Sequence, residues 1–139
     1  MLASTVMDSL PKSIRILRKF VIESLAGSIT LQQFRTMNLI SEGYGSTQIA
    51  EILSVSLAAI SKMISSLESR ELVTKTQGSD RRSQVLKLTP QGRKILGQVK
   101  KHVEKKLQAG ISQLELSEQK ILQNGLEALN KLMSLVKEG

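Results

Sequence analysis

The period of the apolar pattern changes between Ser46 and Thr89, and that change limits this chain to few folds. Ile49 and Leu53, then Ile60, Ile64 and Leu67, recur at helical spacing on either side of a break at Ser54-Val55-Ser56. Directly afterwards come two short β-prone runs, Leu72-Val73-Thr74-Lys75-Thr76 and Gln84-Val85-Leu86-Lys87-Leu88, the second alternating polar and apolar. The segment joining them, Gln77 to Ser83, holds Gly78, Ser79 and Asp80, residues that favour turns. The pattern predicts helices over 46–53 and 57–70 and a two-stranded ribbon with strands near 73–77 and 84–88.

Local chemistry supports the helix pair. Ser56 suits an N-cap, because its hydroxyl can accept from a free amide in the next helix's first turn. Ala50 is small enough for the second helix to cross closely, and Val55 is expected to plug the turn. Ser54 stands where glycine would make the turn most easily. Helix, short turn and helix is the layout whose second member lies in a DNA major groove. A hairpin placed after it projects as a wing. Arg81 or Arg82 at its tip suits the negative potential of a minor groove, with Asp80 pairing to one arginine and fixing its direction. A solvated turn with an exposed ion pair is the competing reading of the same three residues.

Charge agrees. The chain carries 20 Lys+Arg and 12 Asp+Glu, a net +8. Between Arg81 and Lys106 nine basic residues (Arg81, Arg82, Lys87, Arg93, Lys94, Lys100, Lys101, Lys105 and Lys106) face Glu104 alone, so the whole net charge resides there. Charge concentrated on a wing and the helix behind it is the electrostatic footprint of a nucleic-acid binder. A solvated lysine face is the alternative, and the lysines far along that helix are expected to steer DNA without touching it.

The outer segments are amphipathic and long. Leu122, Leu126, Leu129, Met133 and Val136 recur at alternating steps of 4 and 3, the spacing of a helix-packing seam. Leu96, Val99, Val103 and Leu107 form one stripe, and Leu10, Ile14, Leu17, Val21 and Leu25 form another, with Pro11 tolerated in a first turn. The coarse reading adds helices at 6–25, 31–42, 90–109 and 117–136. Thr89 caps the fifth helix with Pro90 at its first position, and Ser117 heads the last. The three outer stripes either close on one another or form a two-fold platform. Two copies of a recognition helix are useful when they stand about 34 Å apart, one turn of B-DNA. Dimerisation is therefore expected through Leu10, Ile14, Leu17, Leu122, Leu126, Leu129 and Met133.

Catalysis has no support. Without cysteine there is no disulfide frame, thiol nucleophile or zinc ribbon, and one histidine, His102, makes no cluster. His102 is expected to be an exposed or interface residue, and Glu68 with Glu71 ordinary helix-surface charge. The nine glycines form no phosphate loop, and no cofactor is expected. Charges at Arg15, Arg18 and Lys19 interrupt the N-terminal segment, so it lacks the apolar core of a targeting peptide, and no run spans a bilayer. Cytoplasmic residence without a membrane partner is the expectation.

Several motifs follow one another in order: Leu31-Gln32-Gln33-Phe34 leading to Met37 and Ile40, the helix pair with Ser61-Lys62, Leu67-Glu68 to Leu72-Val73, Asp80-Arg81-Arg82, and Leu88-Thr89-Pro90-Gln91-Gly92. Their order and spacing resemble the MarR family of bacterial transcriptional regulators, from about Ser9 to the C-terminus. The resemblance implies a mainly α fold with a small β wing: a winged helix-turn-helix over 28–89, with helices in 1–27 and 90–139 as dimerisation platform, all in one domain over 1–139. It places Ser56, Leu57, Ala58, Ser61, Lys62 and Ser65 on the groove-facing side of the recognition helix, and Asp80, Arg81 and Arg82 in the wing. Lys62 replaces a common arginine, which favours a phosphate contact over bidentate guanine reading. Glu71 replaces a common helix-ending glycine, so that helix end is expected to take a different shape. The function implied is a ligand-responsive dimeric repressor on a pseudo-palindromic operator in double-stranded DNA. Its small-molecule effector pocket would be poor in aromatic residues, since only Phe20, Phe34 and Tyr44 exist. A winged-helix module that docks proteins without specific DNA binding is the alternative.

Overall fold

Met37, Ile49, Ile60, Ile64 and Leu67 are all 1% exposed or less, and the fold is arranged around withdrawing them from water. The computed structural model describes residues 1–78 and 84–138. In chain order the elements are α1 (Leu2–Leu25), α2 (Leu31–Ser41), α3 (Ser46–Leu53), α4 (Leu57–Ser69), β1 (Val73–Gln77), β2 (Gln84–Leu88), α5 (Pro90–Ile111) and α6 (Leu116–Glu138). The strands pair antiparallel from Val73 opposite Leu88 to Gln77 opposite Gln84. The mainly α architecture with a small β wing is as the sequence predicts.

Each helix of the central body starts and ends for a local reason. Thr30 Oγ1 accepts from the Gln33 amide (3.0 Å) while Gln33 Oε1 accepts from the Thr30 amide (2.9 Å), a reciprocal cap on α2. At α3 the Gln48 side chain accepts from the Gly45 amide at 3.0 Å. Ser54 ends α3 in the left-handed region at φ 56°, with the Val55 amide donating back to the Ala50 carbonyl at 3.0 Å. Helices α3 and α4 then meet at a bend of 115°, within the range of helix-turn-helix pairs. Ala50 is buried at 6% exposure, as the close crossing needs. Val55 is 37% exposed and does not plug the turn; its contribution is the backbone bond to Ala50.

Three other expectations are corrected. Helix α1 begins at Leu2, not near residue 6, so Pro11 lies inside it and leaves the Met7 carbonyl without its helical donor. Helix α6 begins at Leu116, and its start is closed by Glu118, whose side chain accepts from the Glu115 amide at 3.0 Å; Ser117 is already helical. At Glu71 the helix end keeps the shape glycine would give it. Glu71 adopts φ 61°, its amide donates to the Glu68 carbonyl and the Leu72 amide to the Leu67 carbonyl, both at 3.0 Å. That is the Schellman pattern, and the burial of Leu67 and Leu72 holds a glutamate in a conformation it disfavours.

Two compact units can be told apart, Met1–Val103 and Glu104–Gly139. The first holds the apolar core, which gathers Leu25, Ile29, Met37, Ile40, Ile49, Ile60, Ile64, Leu67, Leu72, Val73, Leu86, Leu88, Leu96 and Val99. In the second, Gln119 Nε2 donates to the carbonyls of Ile111 and Leu114, both at 3.1 Å, closing the turn before α6. No described residue of α6 is buried. Among the described residues no single helix is long and apolar enough to cross a membrane.

Candidate nucleic-acid interface

Helix α4 separates its residues cleanly into two sides. Ile60, Ile64 and Leu67 are buried, while Ser56, Leu57, Ala58, Ser61, Lys62 and Ser65 are all exposed. At 100° per residue, Leu57, Ala58, Ser61, Lys62 and Ser65 share an arc of about 140°. The arc carries two serines, one lysine and the small Ala58, with Leu57 at its edge 50% exposed. The structure therefore brings together every recognition-helix residue singled out from the sequence. The Ser56 hydroxyl accepts from the Ala59 amide at 3.0 Å, and its own proton stays free to donate. Such a face offers hydroxyl donors, one ammonium and an apolar side chain able to meet a thymine methyl.

Behind α4 the base of the wing is locked to α5 through one threonine. Thr89 donates its hydroxyl to the Glu71 carbonyl (2.7 Å), accepts from the Gly92 amide (3.0 Å), and donates its own amide to the Leu72 carbonyl (3.0 Å). Gly92 is required there, because a Cβ would collide with the Leu72 carbonyl oxygen. Arg93 Nη1 donates to the Leu88 carbonyl at 2.9 Å and closes the end of β2. These bonds join the residues that follow α4, the base of the wing and the first turn of α5. Asp80, Arg81 and Arg82 lie outside the described residues.

The remaining cations of the basic segment, Lys87, Arg93, Lys94, Lys100, Lys101, Lys105 and Lys106, are all exposed. Lys94, Lys101 and Lys105 share one side of α5, opposite the buried Leu96 and Val99, so they are free to meet solvent or an anion. Glu68 pairs with Lys75 at 3.5 Å as ordinary surface charge. His102 is half-buried; its Nε2 lies 3.8 Å from Glu23 Oε2 and makes no hydrogen bond. Among the described residues no cluster of His, Asp and Glu could hold a metal ion.

The residues expected at a dimer contact are poorly covered within one chain. Leu10 and Leu129 are half-buried, and Ile14 (60%), Leu17 (37%), Leu122 (46%), Leu126 (50%) and Met133 (43%) are exposed. Ile14 and Leu17 also line an open cleft of about 330 Å³ between α1 and α2, with Val21, Leu31 and Phe34 completing its apolar wall. Arg18 and Arg35 stand at the same cleft. Sequence reasoning missed this cleft, because nothing in the spacing of Arg18 and Arg35 announces that they share it. It also missed Arg70, whose guanidinium reaches Ser28 and Gln33 across the fold.

Residues 29–84 match the model of the MarR family. No curated protein matches the chain. Several solved structures share its fold. A MarR family protein from Bacillus stearothermophilus is 16% identical, with a TM-score of 0.81 over 96% of each chain. Staphylococcus aureus MarR in complex with salicylate and kanamycin is 20% identical, with a TM-score of 0.76 over 99% of this chain and 94% of that one. A Staphylococcus aureus MepR variant bound to an oligodeoxyribonucleotide is 20% identical, with a TM-score of 0.63 over 91% of this chain and 97% of that one.

Proposed function

With residues 29–84 identified as a MarR-family region, we propose that this chain is a DNA-binding transcription regulator: a homodimeric repressor, released by a small molecule, on a pseudo-palindromic operator. The observation that carries the reading is the α4 face. A recognition helix must bury one side firmly and present a small, polar, unpaired side to base edges, and α4 does both. The wing, with Arg82, would reach the flanking minor groove. Support also comes from the solved MepR variant of the same fold, which holds an oligodeoxyribonucleotide.

A recognition helix this short covers one half-site, and two copies give the affinity a repressor needs. The uncovered seam on α6 is the surface we assign to pairing. The cleft between α1 and α2 suits a small amphipathic acid, its body against Ile14, Leu17, Val21, Leu31 and Phe34 and its carboxylate toward Arg18 and Arg35. Such a ligand acts only if it favours one spacing of the two recognition helices over another.

The test is binding of the purified protein to its own upstream intergenic DNA and to unrelated DNA across a salt series. Tight binding that prefers the upstream fragment, with a steep salt slope, is expected. Equal, weak binding to both fragments would leave a basic surface only and favour a protein-docking module. Arg82→Ala is expected to weaken operator binding while leaving the fold and the dimer intact; unchanged affinity at physiological salt would remove the minor-groove role.

A further inference from the structure

Helix α1 is attached to the winged body mostly through its last turns. Among its described residues only Leu25 is buried, with Val21 packed against the core. The helix then stops in two left-handed residues, Ala26 at φ 41° and Gly27 at φ 81°. Ser28 turns back on it, donating its amide (2.8 Å) and its hydroxyl (2.6 Å) to the Leu25 carbonyl. This connector would be a hinge if nothing held it from the other side.

Arg70 holds it. The residue caps the C-terminal end of α4, and its guanidinium forks: Nη2 donates to the Ser28 carbonyl at 2.6 Å, and Nη1 reaches Gln33 Oε1 at 3.4 Å. Gln33 Oε1 is the same atom that accepts from the Thr30 amide at the start of α2. One planar group thus joins the end of α4, the hinge carbonyl and the cap of α2. From α1 itself, Glu23 makes only a looser approach, to His102 of α5 at 3.8 Å.

We propose that Arg70 is a positioning residue, a strut that sets the angle between the recognition helix α4 and α1. A small angle matters because α1 is long. Its 24 residues extend about 36 Å at 1.5 Å per residue. A hinge error of about 5° therefore moves the far end by about 3 Å, close to one base-pair rise of DNA. In a dimer built on the outer helices that error appears directly in the separation of the two recognition helices. Only the planar fork of arginine spans both acceptors; lysine has the charge without the fork. The effect on operator binding rests on the DNA-reading proposal above, whereas the strut itself does not.

The chain has no cysteine, so a labelled pair is easily installed. Spin labels at Lys12→Cys on α1 and Glu51→Cys on α3, diluted with unlabelled protein, report the hinge angle without DNA. The distance distribution should be narrow with Arg70 and clearly broadened in R70A, with intermediate width in R70K. Operator affinity should fall on the order of fivefold in R70A, with the salt slope and binding to unrelated DNA unchanged. An unchanged distance distribution in R70A overturns the strut. So does a salt slope lowered by about one with full recovery in R70K, which would make Arg70 a phosphate contact. Should R70A fail to fold, R70K carries the same distance measurement, and a wild-type distribution there overturns the proposal. If the unsubstituted protein shows no preference for its operator, the DNA-reading proposal fails, and the label distances still decide the strut.

Discussion

At the scale of single residues, the two backbone positions that matter most are ones where side-chain chemistry and conformation oppose each other. Glu71 sits at φ 61°, where an L-residue costs about 1–2 kcal/mol relative to its preferred regions. Buried Leu67 and Leu72, with Thr89 bonded to the Glu71 carbonyl, hold it there. Glu71→Gly should therefore stabilise the fold by about 1 kcal/mol, seen as a higher midpoint in denaturant at unchanged slope; a lower midpoint would show that the glutamate side chain contributes more than its backbone costs. Gly92 is the reverse case. Its missing Cβ lets α5 meet the Leu72 carbonyl, so Gly92→Ala should destabilise by about 1–3 kcal/mol. Thermal unfolding of the variant checks this, and an unshifted transition would mean the α5 start can slide away at no cost.

At the scale of elements, α4 is the decisive one because its two sides answer to different demands. Ile60, Ile64 and Leu67 anchor it, and replacing them tests only packing. Lys62 lies on the outer arc and tests recognition. As a point charge it should contact phosphate, so Lys62→Ala is expected to weaken binding to all sequences alike and lower the salt slope by about one. Lys62→Arg should regain affinity and add discrimination at one base pair, through a bidentate fork. A loss in Lys62→Ala confined to the operator would instead make this lysine a base reader. Competition binding at several salt concentrations separates the two outcomes. The wing cannot be understood apart from α4, since Thr89 and Arg93 weld its base to the helices on both sides.

At the scale of the whole molecule, the outer helices pose the main energetic question. Leu122, Leu126 and Met133 are between 43% and 50% exposed, a regular apolar seam along a helix with no buried described residue. Water contact along such a seam is unfavourable, and a second copy is the cover we propose. Leu126→Lys with Leu129→Lys should convert a dimer into a monomer by light scattering while the helical content is retained. Operator affinity should then fall about a hundredfold or more, since each half-site must bind alone. A variant that remains dimeric would show that this seam serves within one chain.

The sequence by itself determined the elements and their order. The switch from helical spacing to two short β-prone runs, beginning at Leu72, marks where helix gives way to ribbon, and β1 and β2 fall on those runs. The buried and outward sides of α4 were equally legible, because burial within one short helix follows its own period. Tertiary structure decided what local pattern does not encode. Glu71 reads as a residue that gives the helix end a different shape, yet packing around Leu67 and Leu72 keeps the shape glycine would give. Val55 reads as the plug of the turn, yet it stands 37% exposed there. Arg18 and Arg35 come to line one cleft, and Arg70 donates to the Ser28 carbonyl across the fold. Such contacts join residues far apart in the chain, and no periodicity carries information about them. Only the packed core, by fixing which helix ends become neighbours, brings those side chains within reach.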